Sequence, residues 1–194
     1  MPRPIADDYD DKRRQIMAAA AHLFATQGYA GAGMAAVAAE AGISKGNIYH
    51  YYGGKEDLLF AILDAYLSDL RDQICGLCLP DEPEAALRLT LRAILRAYKG
   101  EDDMHNVQVN DLTALPAERQ KPLKAYQRDI LWFVADRLAP FGTGDMRDVT
   151  MSVFGMLNWF YMWNAGADDD ARDAYADTVC DLVLGGLPRL QCSS

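Results

Sequence analysis

At 194 residues, 51% hydrophobic and 24% charged, the chain suits one helical unit of ordinary size or a small domain joined to a larger one. Four cysteines, with Cys192 near the C-terminus, are no disulfide framework at this length, and the N-terminus lacks a secretory signal pattern, so a cytoplasmic location is expected. The net charge of −9 argues against nucleic acid only until it is divided, since residues 1–55 hold six Lys/Arg against five Asp/Glu and residues 56–194 hold thirteen against twenty-three.

Residues 1–11 carry two prolines and four aspartates and read as a flexible N-terminal arm. From Lys12 to Lys55 there are five basic residues and one acid, so the basic patch is local, and the acidic remainder limits nonspecific adhesion to DNA. A first helix is predicted from Asp11 to Gln27, with Ile16, Ala20, Leu23, Phe24 and Gln27 along one stripe and Gly28 at its end. Met34, Val37, Ala38 and Ala41 recur at helical spacing in a second segment. Gly42 stops it, because glycine takes the left-handed conformation of a helix C′ position. Ser44 is placed to cap a third helix, whose Ile48 and Tyr51 continue the buried face. Two short helices with a tight turn and small Ala38 at the crossing form a helix-turn-helix pattern, whose second helix enters the DNA major groove. Its outer residues, Ser44, Lys45, Gly46, Asn47, Tyr49 and His50, with Lys55 beyond, are short, polar or basic, and residues 41–55 contain no acid. A hairpin that only packs would ordinarily carry Glu or Asp on such a face, so the missing carboxylates favour phosphate as the partner.

A long helix follows from Lys55 to Leu77, with Leu58, Leu59, Ile62, Leu63, Tyr66 and Leu67 on a wide apolar face. Cys75 and Cys78 have C-x-x-C spacing, but no second ligand pair lies nearby, and two thiols at i, i+3 fit a buried helix face. Pro80 and Pro83 break the chain before a helix from Glu84 to Lys99 that carries Arg88, Arg92 and Arg96 at four-residue spacing. That stripe is either a solvated face paired with acids elsewhere or an anion-binding ridge. A short helix is predicted over Met104–Leu115, and another over Lys121–Ala139, with Gly142-Thr143-Gly144 as a stop rather than a phosphate loop. Val149–Ala167 is uncharged over nineteen positions, yet Asn158, Asn164, Ser152 and Thr150 and the acidic flanks favour a helix buried within a protein over a membrane span. The last helix, opened by the acids at 168–170, runs to Leu184 before Gly185, Gly186 and Pro188. No Ser/His/Asp order, metal-spaced cluster or glycine-rich strand turn is found, so an enzyme is the least favoured class and neither catalytic nor metal-binding residues nor a cofactor are expected. The competing class is a helical adaptor or scaffold that binds only protein.

The run Ile16–Phe24, then Gly28-Tyr29, Met34, Ala41–Gly46, Tyr49-His50-Tyr51-Tyr52 and Lys55-Glu56-Asp57-Leu58-Leu59, resembles the TetR family of bacterial repressors. The resemblance is continuous from about Arg13 to Leu63. It departs at Ala32 and Gly33, where members often carry Thr or Ser as a cap, and at Gly54, often Ser or Asn. Backbone N–H groups must then make any phosphate contact at those points. The resemblance implies an all-α, TetR-like fold of about nine helices: an arm over 1–11, a helix-turn-helix DNA-binding domain over 12–54, and a ligand-binding and dimerisation domain over 55–194. It further implies a homodimer on a palindromic double-stranded operator, acting as a repressor until a small molecule releases it. Two-fold pairing also follows physically, since one recognition helix reads only a few base pairs. Lys45, Asn47 and Tyr49 are then assigned to the groove, Tyr29, Ser44, His50 and Lys55 to phosphates, and Gly46 to the DNA-binding surface between them. The dimer is expected to bury Val153, Leu157, Phe160 and Val179 in a four-helix bundle. The segments Asp111–Lys124 and Phe154–Trp163 are in addition similar to PaaR-type regulators of phenylacetate breakdown, which implies an acyl-CoA effector such as phenylacetyl-CoA. Trp132, Phe133, Trp159 and Trp163 would wall its acyl group, Gln108, Tyr126 and Asn158 would anchor it, and Arg88, Arg92 and Arg96, with Arg119, Lys121, Lys124 and Arg128, would meet its phosphates.

Overall fold

The computed structural model describes residues 5–142, 146–164 and 166–191. Among them are nine α-helices, two short 3₁₀ turns and no strand, the all-helical architecture the periodicities predict. The first four residues of the arm, Thr143 and Gly144 of the expected stop, and Cys192 lie outside the described residues. The chain divides into two units, residues 1–67 with 103–123, and residues 68–102 with 124–194.

In the first unit, α1 (Ile5–Gly31) begins inside the expected arm, not after it. Tyr9 stacks on Tyr51 with ring centroids 5.0 Å apart, and Arg14 pairs with Asp11 one turn away, so a tertiary stack and a local ion pair together carry the helix back through these residues. Gly28 interrupts the helix at φ 75°, a conformation open to glycine at little cost, and one further turn reaches Gly31. Ile16, Ala20 and Phe24 are buried as the stripe predicts, whereas Gln27 is exposed. α2 (Met34–Glu40) and α3 (Lys45–Ile48) follow, and α4 (Lys55–Cys75) brings Leu58, Leu59, Ile62 and Leu63 into the core. Three short helices enclose little apolar volume. The first part of α4 therefore completes this core together with Val107, Leu112, Leu115 and Leu123 from the 103–123 segment.

In the second unit, α5 (Pro83–Ala97) packs along α9 (Asp169–Gln191), with α8 (Arg147–Trp163) against both. Leu87, Leu91, Ile94 and Leu95 of α5 are buried with Val153, Leu157 and Phe160 of α8 and Ala176, Val179 and Cys180 of α9. α7 (Ala117–Leu138) adds its part from Lys124 on to this unit, whereas α6 (Asp102–Asp111) lies almost wholly in the first. Arg172 is 1% exposed, and no sequence pattern announced it. Its Nε donates to Ala167 O (3.1 Å), its Nη1 donates to Leu95 O (3.0 Å), and its guanidinium lies over the Phe160 ring. A buried cation is tolerable only with partners of this kind, and here they are carbonyls at the end of α5 and in the turn before α9.

Two predicted boundaries need correction. α9 does not stop at Leu184 but continues through Gly185, Gly186 and Pro188. Leu187 is 3% exposed and lies near Gly142, so packing holds a stretch that propensity alone would release. α4 stops at Cys75, leaving Cys75 half-buried and Cys78 exposed beyond the helix, so the two thiols do not share a buried helical face. Among the described residues no helix is long and apolar enough to cross a membrane. Most of the uncharged stretch forms α8, which is apolar on its buried face and carries Met151, Trp159, Met162 and Trp163 on its exposed one.

Candidate nucleic-acid interface

The turn between α2 and α3 is built as its residues require. Gly42 has φ 64°, its N–H donates to Ala39 O, and the Ile43 N–H donates to Ala38 O, closing the end of α2. The Ser44 hydroxyl accepts the Asn47 N–H at 3.2 Å and caps α3. Gly33 precedes α2 without any side-chain cap, as Ala32 and Gly33 in place of a hydroxyl residue require. Met34, Val37, Ala38, Ala41 and Ile48 are buried. Tyr51 is only half-buried, and Tyr52 takes the inner place expected of it. The short α3 gives way to a turn after Ile48, which shifts the register; Arg13 donates to the Tyr52 hydroxyl and lies over its ring, and that hydrogen bond holds the guanidinium above its ordinary pKa.

Ser44, Lys45, Gly46, Asn47, Tyr49 and His50 are all exposed on one short stretch, and no carboxylate lies among them. Two other residues assigned to phosphates are turned inward. Lys55 Nζ donates to Ala30 O at 3.3 Å and stands 4.3 Å from the centroid of the Tyr29 ring, and burial lowers the pKa of its ammonium. The Tyr29 ring meets Phe24 edge-on, and burial raises the pKa of its hydroxyl. The Tyr29 N–H donates to the carboxylate of Asp111, whose pKa burial raises while this bond and nearby Lys55 pull it down. Arg119 bridges to Glu56 and Asp57, and His22 Nδ1 lies 3.0 Å from Asp103. Residues 103–123 are thus tied to α1 and α4 within this unit, at positions too far apart in sequence for spacing to reveal.

The residues assigned to an effector are not gathered into one cavity. Arg88, Arg92 and Arg96 face α9, where Arg88 meets Asp181 and Asp177, Arg92 meets Asp177, and Arg96 meets Asp173. They form a ladder of ion pairs, with Arg88 also bound to Glu84, rather than an open anion ridge. Asn158 accepts the Tyr98 hydroxyl at 2.8 Å, Tyr126 lies beneath Arg71, and Phe133 lies beneath Arg137. Gln108 is half-buried in the other unit. Trp132, Trp159 and Trp163 are 62%, 61% and 58% exposed, on the outer faces of their helices. Trp132 lines a cavity between α7 and α8.

The residues assigned to a dimer interface need a like correction. Val153, Leu157, Phe160 and Val179 are at most 1% exposed within a single chain, so they belong to its own core and offer no surface to a second. The exposed apolar residues of the same helices are Met151, Trp159, Met162, Trp163 and Leu182. The uncharged run over Val149–Ala167 pointed to burial without distinguishing the inner face of α8 from the outer.

Residues 16–62 match the family described as bacterial regulatory proteins, tetR family, and residues 80–187 match the tetracyclin repressor-like C-terminal domain. The transcriptional regulator LmrA of Bacillus subtilis is 29% identical over 119 residues, which cover 60% of this chain and 63% of LmrA, less than two thirds of its length. A TetR-family transcriptional regulator from Bordetella parapertussis is 31% identical, with a TM-score of 0.80 over 91% of this chain and 96% of that one. AibR, solved in complex with isovaleryl coenzyme A and operator DNA, is 22% identical, with a TM-score of 0.74 over 88% of this chain and 97% of its own, a likeness of fold.

Proposed function

The chain belongs to the TetR family of bacterial regulatory proteins, and from that premise we propose that it is a cytoplasmic repressor that binds a palindromic operator as a homodimer and leaves it when an acyl-CoA binds. DNA binding and transcriptional regulation come with the family; the repressor sense, the effector and the residues that carry them are our reading. The observation that carries it is the exposed, acid-free stretch from Ser44 to His50 on a capped α3 behind the Gly42 turn. Residues 12–54 hold the DNA, with Lys45, Gly46, Asn47 and Tyr49 toward the groove and Ser44 and His50 toward phosphates. Tyr29 and Lys55 act mainly by fixing the end of α1. Residues 55–194 supply the dimer contact and the effector site. The second copy covers Trp159 and Met162, which lie along the outer face of α8 with Gly155, beside a small-residue stripe of Ala174, Thr178 and Gly185 on α9.

The acyl-CoA reading draws on AibR, whose complex contains isovaleryl coenzyme A, and on the similarity of Asp111–Lys124 and Phe154–Trp163 to PaaR-type regulators. Phenylacetyl-CoA is the first compound to test. Such an effector must favour the conformer that does not hold DNA, because equal affinity for both shifts nothing. Selection of bound duplexes from random-sequence DNA, followed by titration of the bound complex with phenylacetyl-CoA, isovaleryl-CoA and free phenylacetate, tests both parts. An enriched palindrome released by a thioester and not by the acid is expected. No enrichment would refute the DNA assignment, and an operator held in the presence of every acyl-CoA tried would refute the effector.

A further inference from the structure

We propose that the open cavity between α7 and α8 is the site for an amphipathic anion, an acyl or aryl group carrying a carboxylate or a phosphate. The cavity has a volume of about 400 Å³ and is lined by Arg128, Trp132, Ala135, Met146, Arg147 and Met151, among others. That volume falls within the range of small-molecule sites, roughly 300–1,000 Å³. It admits an acyl or aryl group with its anionic head toward Arg128. The walls are side chains that rarely stay open to water without a purpose, since Trp132 is 62% and Met151 52% exposed.

The charge pattern decides the class of ligand. Arg88, Arg92, Arg96 and Arg119 each have a carboxylate partner. Arg128 has none among the described residues; its guanidinium lies over the Trp132 ring, 5.2 Å from the centroid. Stacking fixes the plane of the guanidinium and leaves its N–H fork available, the geometry that recognises a carboxylate or phosphate in bidentate fashion. The Thr150 hydroxyl donates to Met146 O at 2.8 Å, so the floor offers little competing polarity. An apolar trough with this guanidinium on its wall fits neither a sugar nor an amine. It fits an anion with an apolar tail.

This site gives a place to the effector proposed above and rests on that reading for its regulatory sense. The test is isothermal titration of the full-length protein with phenylacetate, octanoate, phenylacetyl-CoA and octanoyl-CoA, which separates a carboxylate source of the anion from a phosphate one. The wild type is expected to bind at least one of the four. Arg128→Gln should weaken that ligand about ten-fold, as loss of a charge-assisted hydrogen bond does. Ala135→Trp, which fills the cavity from a partly exposed helix face, should abolish binding. Retained helical circular dichroism shows that both variants are folded. Binding of none of the four by the wild type, or unchanged binding by both variants, overturns the assignment. Release of operator is read separately on the same proteins. A ligand that binds wild type and not Ala135→Trp, yet leaves the operator held, refutes the effector reading and upholds the cavity. Equal release from wild type and Ala135→Trp upholds the effector and refutes the cavity.

Discussion

Asn47 shows how one residue divides its work. Its backbone N–H is taken by the Ser44 hydroxyl, while its side chain is exposed among Lys45, Tyr49 and His50. Asn47→Ala keeps the cap and should leave stability within about 0.5 kcal/mol, as exposed substitutions do. It should relax sequence preference at one base step, read by repeating the selection with the variant; an unchanged preferred sequence would remove Asn47 from the groove. Asp177 supplies the pH dependence. Its hydrogen bond from Arg92 holds the carboxyl below the ordinary carboxylate pKa, with burial opposing. A depressed folded-state pKa stabilises the fold above the unfolded value of about 3.9, and this contribution is lost as pH falls through the folded value. The pair is largely solvent-accessible, so it is worth no more than about 1 kcal/mol. Urea midpoints at descending pH below about 4 should therefore fall less in Asp177→Asn than in wild type. Parallel curves for the two proteins would deny the ion pair its role. The ladder was half legible in the sequence: spacing put Arg88, Arg92 and Arg96 on one face, but their partners lie on a helix some eighty residues later.

Among the elements, those set by local chemistry were the most legible. Gly28, Gly42 and Ser44 stand where the breaks and the cap were read, because each acts through its own backbone or within one turn. Elements set by tertiary packing were not. α1 extends back to Ile5, α9 runs on past two glycines and a proline, and α3 is so short that Tyr52 replaces Tyr51 in the core. The candidate site divides in the same way. The exposure of Ser44 to Asn47, Tyr49 and His50 was legible as an acid-free polar run, whereas the inward turn of Lys55 depends on the end of α1, Ala30 and Tyr29, about 25 residues away. Arg172 was not legible at all, since its partners are backbone carbonyls that no side-chain pattern encodes. Arg172→Met would remove the donors of Leu95 O and Ala167 O. Each buried carbonyl left unpaired costs about 1–3 kcal/mol, so a loss of at least that size is expected in urea unfolding. A variant as stable as wild type would show that this guanidinium does not hold the turn between α8 and α9.

For the molecule as a whole, the proposed dimer makes use of surfaces that a single chain leaves open. Trp159 is 61% exposed on α8, whereas Leu157 is fully buried, so the two residues separate association from folding. Trp159→Glu should leave the unfolding midpoint of the monomer close to wild type and shift sedimentation from dimer to monomer, because a charge would be buried unpaired in the interface. A Trp159→Glu protein that still sediments as a dimer would place the two-fold contact elsewhere. Loss of the dimer should also weaken operator binding, since each half-site holds only one recognition helix.

Whether α3 reads a specific sequence from a dimer is decided by fluorescence anisotropy. The selected palindrome, its isolated half-site and a shuffled duplex would each be titrated with wild-type protein over a series of salt concentrations. The palindrome should bind on the order of 10³-fold or more tighter than the shuffled duplex, the half-site should fall far below it, and affinity should decline steeply with salt. Equal affinity for the palindrome and the shuffled duplex at every salt concentration would show that α3 reads no specific sequence.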